Sequence, residues 1–351
     1  MFDEQYAIID EAIVVPPKTA RMRQETGVLT AEGDWVPECE MRRYGNLLTN
    51  PVEMPNETPL RYDGTWLWGG TLHAHFGHFM VESQSRIWRT ADISHVDGIL
   101  FVPKRPRHDG RLSTFQKAVF EAWGISVPVE VVRRPARVEE LLVAPQSISL
   151  GERDDGTPLM RAAAKKRFGA SVKPDGPERL YVSRSKLDPK AGTILVEPEL
   201  ERALADEGYE ILHPQETTIE TQIARYKAAR KIVICDGSAA HLYAYCGRPD
   251  QDCAYLRRRS NRFHDLVTHI AGFTGRRPLE LPLPEREWVA STEVLNRDAS
   301  VSLHSMEGLR AALQAGGFIS STRWDQPAPS VIEARLQSYE AAGGLTQKPS
   351  S

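Results

Sequence analysis

Histidine and carboxylate side chains come together in the segment HAHFGHFMVESQSRIW, which begins at His73. The pattern predicts a helix from Gly77 to about residue 91. The side chains of His78, Glu82 and Arg86 then follow at four-residue intervals and share one helix face. Because a carboxylate fixes the tautomer of a neighbouring imidazole, His78 is a candidate general base, with Glu82 as its partner or as the base itself. A solvated helix face with an ordinary ion pair is the other interpretation.

The same segment also offers a metal-binding pattern. His73 and His75 alternate along a strand, and with His78 they form HxHxxH, whose imidazoles can ligate a metal. Binuclear zinc hydrolases carry an aspartate in HxHxDH, where this chain has Gly77. A metal-dependent hydrolase built on these three histidines is therefore the alternative function.

A second cluster, KIVICDGSAAHLYAYC, is an apolar strand that runs into a Gly-Ser turn and then a helix. Backbone N–H groups at that helix N-terminus, with the helix dipole behind them, form an anion site that suits a diphosphate. Gly237 allows close approach of the backbone, Ser238 can donate a hydroxyl, and His241 lies in the first turn. An ordinary strand-to-helix turn with small residues for packing is the competing interpretation.

Arg184 leaves the carboxyl end of the strand in RLYVSRS, where a guanidinium can clamp a phosphate with two N–H groups. A surface ion pair explains it equally well. Glu197 stands at a helix entrance, where it can cap backbone N–H groups or hold ribose hydroxyls. The motifs GxGxxG, GxxxxGK[ST] and GxSxG are absent from the sequence, which disfavours nicotinamide dehydrogenases, P-loop kinases and α/β-hydrolases.

Strands and helices alternate around both clusters, after an irregular β region that ends near Leu60. In the first half the pattern predicts strands at 98–102, 127–132 and 140–144 and a helix at 112–123. A polar and basic stretch between Leu150 and Pro177 is the best linker candidate. The alternation then restarts, with predicted strands at 179–183, 209–212, 231–235 and 253–256 and helices at 198–206, 219–229 and 239–245. Two α/β units place ligand sites at strand carboxyl ends and in a cleft between domains.

Composition narrows the class of protein. The 351 residues are 41% hydrophobic and 26% charged, as in ordinary globular proteins. The formal charge of −3 provides no basic field for a nucleic-acid backbone, so no nucleic-acid partner is expected. An acidic N-terminus, cysteines without CxxC spacing and the lack of an 18-residue apolar run predict a cytoplasmic protein, at most peripheral to the inner membrane.

Taken together and in this order, the clusters resemble glycosyltransferase family 61. The segments that carry the resemblance lie between about Leu72 and Leu256. In chain order they are HFMVESQSRIW, RLYVSRSK, VEPELERAL, GYEILHP, ETTIETQIARYKAAR and ICDGSAAHLYAYC.

The resemblance implies an inverting, metal-independent glycosyltransferase of the GT-B type, with two facing Rossmann-like domains and a cleft between them. Residues 1–165 would form the acceptor-side domain and residues 166–351 the nucleotide-sugar-binding domain. The expected donor is a UDP-linked hexose or pentose, without any further cofactor. The expected acceptor is a glycan or lipid-linked saccharide in capsular, exopolysaccharide or lipopolysaccharide synthesis.

Residue by residue, the resemblance assigns His78 and Glu82 to catalysis. Its later segments assign donor binding to Arg184, Glu197, Gln222, Gly237, Ser238 and His241. The remaining polar residues of the first cluster, His73, His75 and Arg86, are expected at the acceptor side of the cleft. A non-catalytic glycan- or nucleotide-binding protein is a third possibility. The helices after Pro278 could complete the second domain, return to the first or form a homodimer contact.

Overall fold

A computed structural model describes residues 6–57, 59–91, 95–188, 191–260, 266–290, 300–340 and 345–347. Contacts divide the chain into two compact units, Met1–Ser171 and Val172–Ser351, which we call unit 1 and unit 2. Both contain parallel strands connected by helices, so the predicted α/β class is confirmed. The assignment of acceptor and donor roles to domains that meet at residue 165 stays a prediction.

Unit 1 contains ten strands in its described part. They are β1 (Ala7–Val15), β2 (Gln24–Glu25), β3 (Gly27–Leu29), β4 (Arg42–Arg43), β5 (Asn46–Leu47), β6 (Thr49–Asn50), β7 (Leu60–Leu72), β8 (Gly98–Pro103), β9 (Val129–Val131) and β10 (Ala136–Val143). Its helices are α1 (Phe76–His78), α2 (Thr114–Ala122) and α3 (Pro158–Arg167), with a π-helical turn at Phe79–Ser83 and 3-10 turns at Pro37–Cys39 and Ile87–Ala91.

Six of these strands form the main sheet of unit 1, in the order β3-β1-β10-β7-β8-β9. The strands from β10 to β9 are parallel, while β1 runs antiparallel to both of its neighbours, β3 and β10. Since β8 and β9 follow β7 on one side and β10 lies on its other side, the strand order reverses at β7. In open α/β sheets, ligands bind outside the strand carboxyl ends at such a reversal. In unit 1 that place is the end of β7, next to His73.

The end of β7 is shaped by two adjacent glycines. The strand bulges between Trp68 and Gly70, and Gly70 has a φ of +89°, which glycine adopts without strain. A Cβ on Gly69 would lie 2.5 Å from the Phe101 ring of the neighbouring strand. Gly69 therefore allows β7 to pack closely against β8, and Gly70 allows the bulge.

The predicted helix from Gly77 to residue 91 is wrong as a single element. The segment instead forms α1, the π-helical turn Phe79–Ser83 and the 3-10 turn Ile87–Ala91. Two side chains hold it in this shape: the Ser83 hydroxyl donates to the carbonyl of Thr71 at 2.8 Å, and the Arg86 guanidinium donates to the carbonyl of Ala144 at 2.7 Å. These tertiary hydrogen bonds override the periodicity that predicted a regular helix, and π-turns are frequent at functional sites.

Unit 2 contains nine strands in its described part. They are β11 (Arg179–Val182), β12 (Thr193–Ile194), β13 (Glu210–Leu212), β14 (Lys231–Cys235), β15 (Asp252–Leu256), β16 (Leu279–Glu280), β17 (Arg286–Ala290), β18 (Ser300–Leu303) and β19 (Leu345–Gln347). Its helices are α4 (Glu197–Asp206), α5 (Ile219–Ala228), α6 (Ala239–Cys246), α7 (Leu266–Thr274), α8 (Met306–Ala315) and α9 (Pro329–Glu340), with a 3-10 turn at Pro214–Glu216.

A parallel sheet in the order β13-β11-β14-β15-β16 forms the centre of unit 2. Helices α4 to α7 connect its strands in turn, as in doubly wound folds with the order 2-1-3-4-5. The strand order reverses between β11 and β14, which are the two strands that precede Arg184 and Gly237. The predicted strands and helices of this region are confirmed, whereas α7 and the short edge strand β16 were missed.

A second sheet, β12-β18-β17-β19, and the C-terminal helices complete unit 2. Side chains from α4, the parallel sheet, β17, β18, α8 and α9 share one apolar core, which includes Leu204, Val233, Trp288 and Leu309. The helices after Pro278 therefore pack within unit 2. No helix in the described ranges combines the length and apolar character that crossing a membrane requires.

Two buried histidines make the stability of unit 2 depend on pH. Burial lowers the pKa of His269 to about 3 and that of His304 to about 4. In the unfolded chain both imidazoles bind protons below about pH 6.5, so the unfolded state binds more protons than the native state and stability falls as pH decreases toward 4.

We predict that His269→Phe reduces this dependence by about 1.4 kcal/mol per pH unit below pH 6, because one proton fewer is taken up on unfolding. The phenyl ring can take the edge-to-face place between Tyr245 and Phe273. Urea unfolding between pH 7 and 4.5 measures the slope. The matched control is His95→Gln, whose side chain is 79% exposed and should leave the slope unchanged. Parallel slopes for wild type and His269→Phe would contradict the assignment.

Candidate active site

The carboxylate of Glu82 lies at the centre of a polar cluster beyond the end of β7. It is 1% exposed and forms a two-pronged ion pair with Arg43, whose Nε donates to Oε1 at 2.5 Å and whose Nη2 donates to Oε2 at 2.6 Å. His78 Nδ1 lies 3.2 Å from Oε2, and His73 Nε2 lies 3.4 Å from the same oxygen. Two imidazoles and one guanidinium therefore surround a single carboxylate, which we call the Glu82 cluster.

Charges in the Glu82 cluster decide its protonation. Burial alone would raise the pKa of Glu82, but contacts with His78, His73 and Arg43 outweigh it and lower the pKa to about 2. Burial also lowers the pKa of His73 to about 3, although Glu82 opposes the shift. At neutral pH, Glu82 is ionised and His73 is neutral.

His78 is the most exposed member of the cluster. Its side chain is 31% exposed, whereas those of His73 and Glu82 are 5% and 0% exposed. With Nδ1 directed at Glu82, Nε2 is the ring nitrogen left to face a substrate. His75 is exposed, and its ring centroid lies 5.2 Å from that of His78. The structure thus confirms the predicted contact between His78 and Glu82.

Sequence reasoning missed Arg43, which lies on a hairpin that brings it next to Glu82. Strands β4 and β5 pair around Tyr44 and Gly45, which have φ values of +50° and +73°, as the central residues of a type I′ turn do. The N–H of Tyr44 donates to the carbonyl of Leu150 at 2.7 Å, and a Cβ on Gly151 would lie 2.3 Å from the Tyr44 ring. The sequence Tyr-Gly signals a turn, but nothing in it shows that the turn brings Arg43 to Glu82.

The backbone of His73 is held from two sides. Its N–H donates to the Ser83 hydroxyl at 3.0 Å, and its carbonyl accepts from Gln116 Nε2 at 3.0 Å. Gln116 also completes the capping box of α2 with Ser113. The π-helical turn and the start of α2 therefore fix the point at which the chain leaves β7.

Arg86 lies outside the Glu82 cluster. Its guanidinium is fully buried and donates to the carbonyls of Ala144 at 2.7 Å, Glu40 at 2.5 Å and Glu38 at 3.3 Å. The expectation that Arg86 shares a face with His78 and Glu82 is wrong, because the segment does not continue as one helix. Its role at an acceptor site stays a prediction.

In unit 2, Arg184 and Gly237 meet where the strand order reverses. Arg184 follows β11 and Gly237 follows the neighbouring β14. The guanidinium of Arg184 lies against the glycine backbone, since a Cβ on Gly237 would be 2.4 Å from Nη1. Ser238, which is half-buried, precedes the first turn of α6. The structure thus brings together three of the predicted donor-binding residues, and we call them the Arg184 turn.

Glu197 holds the end of β11 in place. Its side chain is fully buried, and Oε1 accepts from the Arg184 N–H at 2.7 Å, the Tyr181 hydroxyl at 3.0 Å and the Ser183 hydroxyl at 3.1 Å. Burial raises the pKa of Glu197, and the hydrogen bond from the Arg184 backbone opposes that shift. This backbone N–H belongs to the end of β11 and not to the helix entrance, and a role of Glu197 in donor binding stays a prediction.

Two further arginines surround the carboxylate that precedes the Arg184 turn. Asp236 is buried and pairs with Arg259, whose Nε lies 3.2 Å from Oδ2. Burial would raise the pKa of Asp236, but Arg259, Arg258 and Arg184 lower it to about 2. Three guanidinium groups therefore act on this one carboxylate. The run LRRRS at the end of β15 was an available signal, because it stands where ligand-binding residues are expected.

Two predicted donor-binding residues make contacts inside unit 2. Gln222 donates through Nε2 to the carbonyls of Pro214 at 2.9 Å and Thr217 at 3.3 Å. His241 is buried, and its Nδ1 lies 2.8 Å from Nδ1 of His269 on α7. These contacts support the loop before α5 and the packing of α6 on α7, and a direct role in donor binding stays a prediction.

The histidines of unit 1 do not form a metal centre of the predicted type. Within the described ranges, no group of three or more His, Cys, Asp and Glu side chains is arranged to hold a metal ion. Both oxygens of Glu82 are bound by Arg43. The metal-dependent hydrolase therefore gains no support from the residues that suggested it.

Fold and site together define an α/β protein with polar chemistry at the strand carboxyl ends of both units. Unit 1 presents a carboxylate-bound imidazole, and unit 2 presents a cationic, glycine-lined turn. The chain belongs to glycosyltransferase family 61, whose family model matches residues 76–251, half of the chain. This confirms the resemblance found in the sequence. No curated protein matches the chain significantly. Arg43 precedes the matched segment, and Arg258 and Arg259 follow it.

We predict that Arg43→Met destabilises unit 1 by about 3–5 kcal/mol, because it leaves the buried charge of Glu82 without its guanidinium partner. Urea unfolding at pH 7 measures the loss. The double variant Arg43→Met with Glu82→Gln should recover part of it. Arg42→Met is the matched control, since that neighbouring arginine is 45% exposed and pairs only at the surface. Equal stability of the Arg42 and Arg43 variants would contradict the central role of this ion pair.

Proposed function

We propose that the protein is an inverting, metal-independent glycosyltransferase that transfers a hexosyl or pentosyl group from a UDP-linked donor to a glycan or lipid-linked saccharide. Membership of glycosyltransferase family 61 supports sugar transfer. The observation that carries the rest is the Arg184 turn, where a guanidinium lies against a glycine backbone at the strand reversal of unit 2. A cationic site at a helix N-terminus suits the diphosphate of an activated sugar.

In this proposal His78 is the general base. Its Nε2 accepts the proton of an acceptor hydroxyl, while Glu82 holds Nδ1 and stabilises the imidazolium that forms. Glu82 itself is a poor base, since Arg43 binds both of its oxygens and its pKa is lowered to about 2. The hydroxyl oxygen bonds to the anomeric carbon as the bond to the diphosphate oxygen breaks, which inverts the configuration.

The departing diphosphate gains one negative charge, which the protein must stabilise. In this proposal Arg184 and the N–H groups of Gly237 and Ser238 stabilise that charge without a metal ion, and Arg258 and Arg259 add positive charge nearby. Preorganised donors of this kind are usually the largest single contribution to catalysis. Glu197 contributes as a positioning residue, because it binds the backbone N–H of Arg184.

The proposal includes the GT-B arrangement, with residues 1–165 as the acceptor-side domain and residues 166–351 as the donor domain. It also includes a role in capsular, exopolysaccharide or lipopolysaccharide synthesis at the cytoplasmic side of the inner membrane. These statements rest on the family, whose members share the motifs of residues 76–251.

The donor site is tested first by thermal shift with UDP, GDP, CDP, dTDP and CMP in the presence of EDTA. We expect UDP to raise the melting temperature, because a ligand at 100 times its Kd stabilises the native state by about 2.7 kcal/mol. Arg184→Ala should abolish the shift. Arg230→Ala is the matched control: it removes an exposed guanidinium beside the amino end of β14, and the shift should persist. A shift that appears only with added metal would contradict metal independence.

The base is tested by turnover with the nucleotide sugar that the thermal shift selects. We expect His78→Ala to lower kcat by about 10²- to 10⁴-fold, the usual contribution of a general base, and to leave the UDP shift intact. The exposed His95→Ala should behave as wild type. Near-normal turnover of the His78 variant would remove His78 from the mechanism, while an unchanged UDP shift would leave the donor site standing.

A further inference from the structure

Three segments of unit 1 form one exposed surface next to the Glu82 cluster. They are residues 18–24, 104–111 and 133–134, and we call them the basic surface. Hydrogen bonds join them: Lys104 Nζ donates to the carbonyls of Arg21 at 3.2 Å and Met22 at 2.9 Å, and Gln24 Nε2 donates to the carbonyl of Lys104 at 3.0 Å. The third segment joins through Arg133, whose Nη1 donates to the carbonyl of Asp109 at 3.3 Å.

The basic surface concentrates positive charge on a chain whose formal charge is −3. It carries eight exposed cationic side chains and one carboxylate, that of Asp109. In the described part of the chain none of the eight forms an ion pair. They are Lys18, Arg21, Arg23, Arg105, Arg107, Arg111, Arg133 and Arg134. Such a local excess of unpaired positive charge attracts an extended anionic partner.

Met22 gives this surface an apolar tip. Its side chain is 72% exposed, more than any other large hydrophobic side chain in the described residues, and it stands between Arg21 and Arg23. Because Lys104 binds the carbonyls of Arg21 and Met22, the tip is held outward. The cations alone would be enough to bind a soluble polyanion. Transfer of the exposed Met22 side chain lowers the free energy only if it enters an apolar phase.

We propose that the basic surface docks unit 1 onto an anionic phospholipid bilayer. The arginines bind headgroup phosphates through their planar N–H forks, and Met22 enters the boundary between headgroups and acyl chains. Lys104 joins this surface to the Glu82 cluster, because its backbone N–H donates to the carbonyl of Leu72 at 3.1 Å, directly before His73. Docking would therefore bring His78 near the membrane, where a lipid-linked saccharide would be held. That last consequence rests on the proposed function, but docking itself does not.

The experiment is co-sedimentation of the full chain with vesicles of phosphatidylcholine alone and of phosphatidylcholine with 30% phosphatidylglycerol. We expect binding to the anionic vesicles that weakens on raising the salt concentration. Arg21→Gln with Arg23→Gln should weaken it about thirtyfold, at the usual contribution of each cationic residue near such a surface. Met22→Ser should weaken it roughly fivefold, because only part of the side chain is buried in the interface.

The matched control is Lys165→Gln with Lys166→Gln, which removes two exposed charges from α3 of the same unit and should change binding less than twofold. Equal binding to neutral vesicles, or an equal loss in the control, would overturn the proposal. So would tight binding to soluble polyphosphate together with no effect of Met22→Ser, which would assign the surface to a soluble polyanion. The vesicles contain no donor or acceptor sugar, so the result is independent of transferase activity.

Discussion

The ion pair between Arg43 and Glu82 is the interaction on which the site in unit 1 depends. A carboxylate that is 1% exposed can remain charged only if its solvation by water is replaced, and the arginine fork together with two imidazoles replaces it. The ionised carboxylate in turn lies 3.2 Å from Nδ1 of His78, so that Nε2 is the ring nitrogen that does not face Glu82. The position of the His78 ring thus follows from how a buried charge is stabilised.

Both units position their polar site residues at a reversal of strand order. In each, one strand pairs in parallel with its chain successor on one side and with a later strand on the other, and the loops diverge at its carboxyl end. In unit 1 the divergent segments are those after β7 and β10, which Arg86 ties together through the carbonyl of Ala144. In unit 2 they are those after β11 and β14, where Arg184 lies against Gly237. The same kind of strand reversal thus carries an imidazole in unit 1 and a guanidinium in unit 2.

Sequence patterns predicted those features that depend on residues close together in the chain. The alternation of apolar strands with capped helices was enough for the α/β class, the strands on either side of the Arg184 turn and the contact between His78 and Glu82. The break in the segment after His73 could not be predicted, because it depends on hydrogen bonds from Ser83 and Arg86 to residues that are close only in the folded chain. Arg43 was missed for the same reason, since its partner is 39 residues away.

Arginine shows most clearly why the remaining roles need the fold. Arg86 is fully buried, and its N–H groups donate to backbone carbonyls. Arg43 forms an ion pair with a buried carboxylate, and Arg184 lies against a glycine at a strand end. The side chain of Arg21 is exposed, and the next residue in the chain is an exposed methionine. All four occur in polar, arginine-containing stretches of sequence, and composition cannot separate them. The burial of each guanidinium and the identity of its partner do separate them. A guanidinium whose N–H groups are already hydrogen-bonded inside the protein cannot bind an external anion, whereas an exposed guanidinium can.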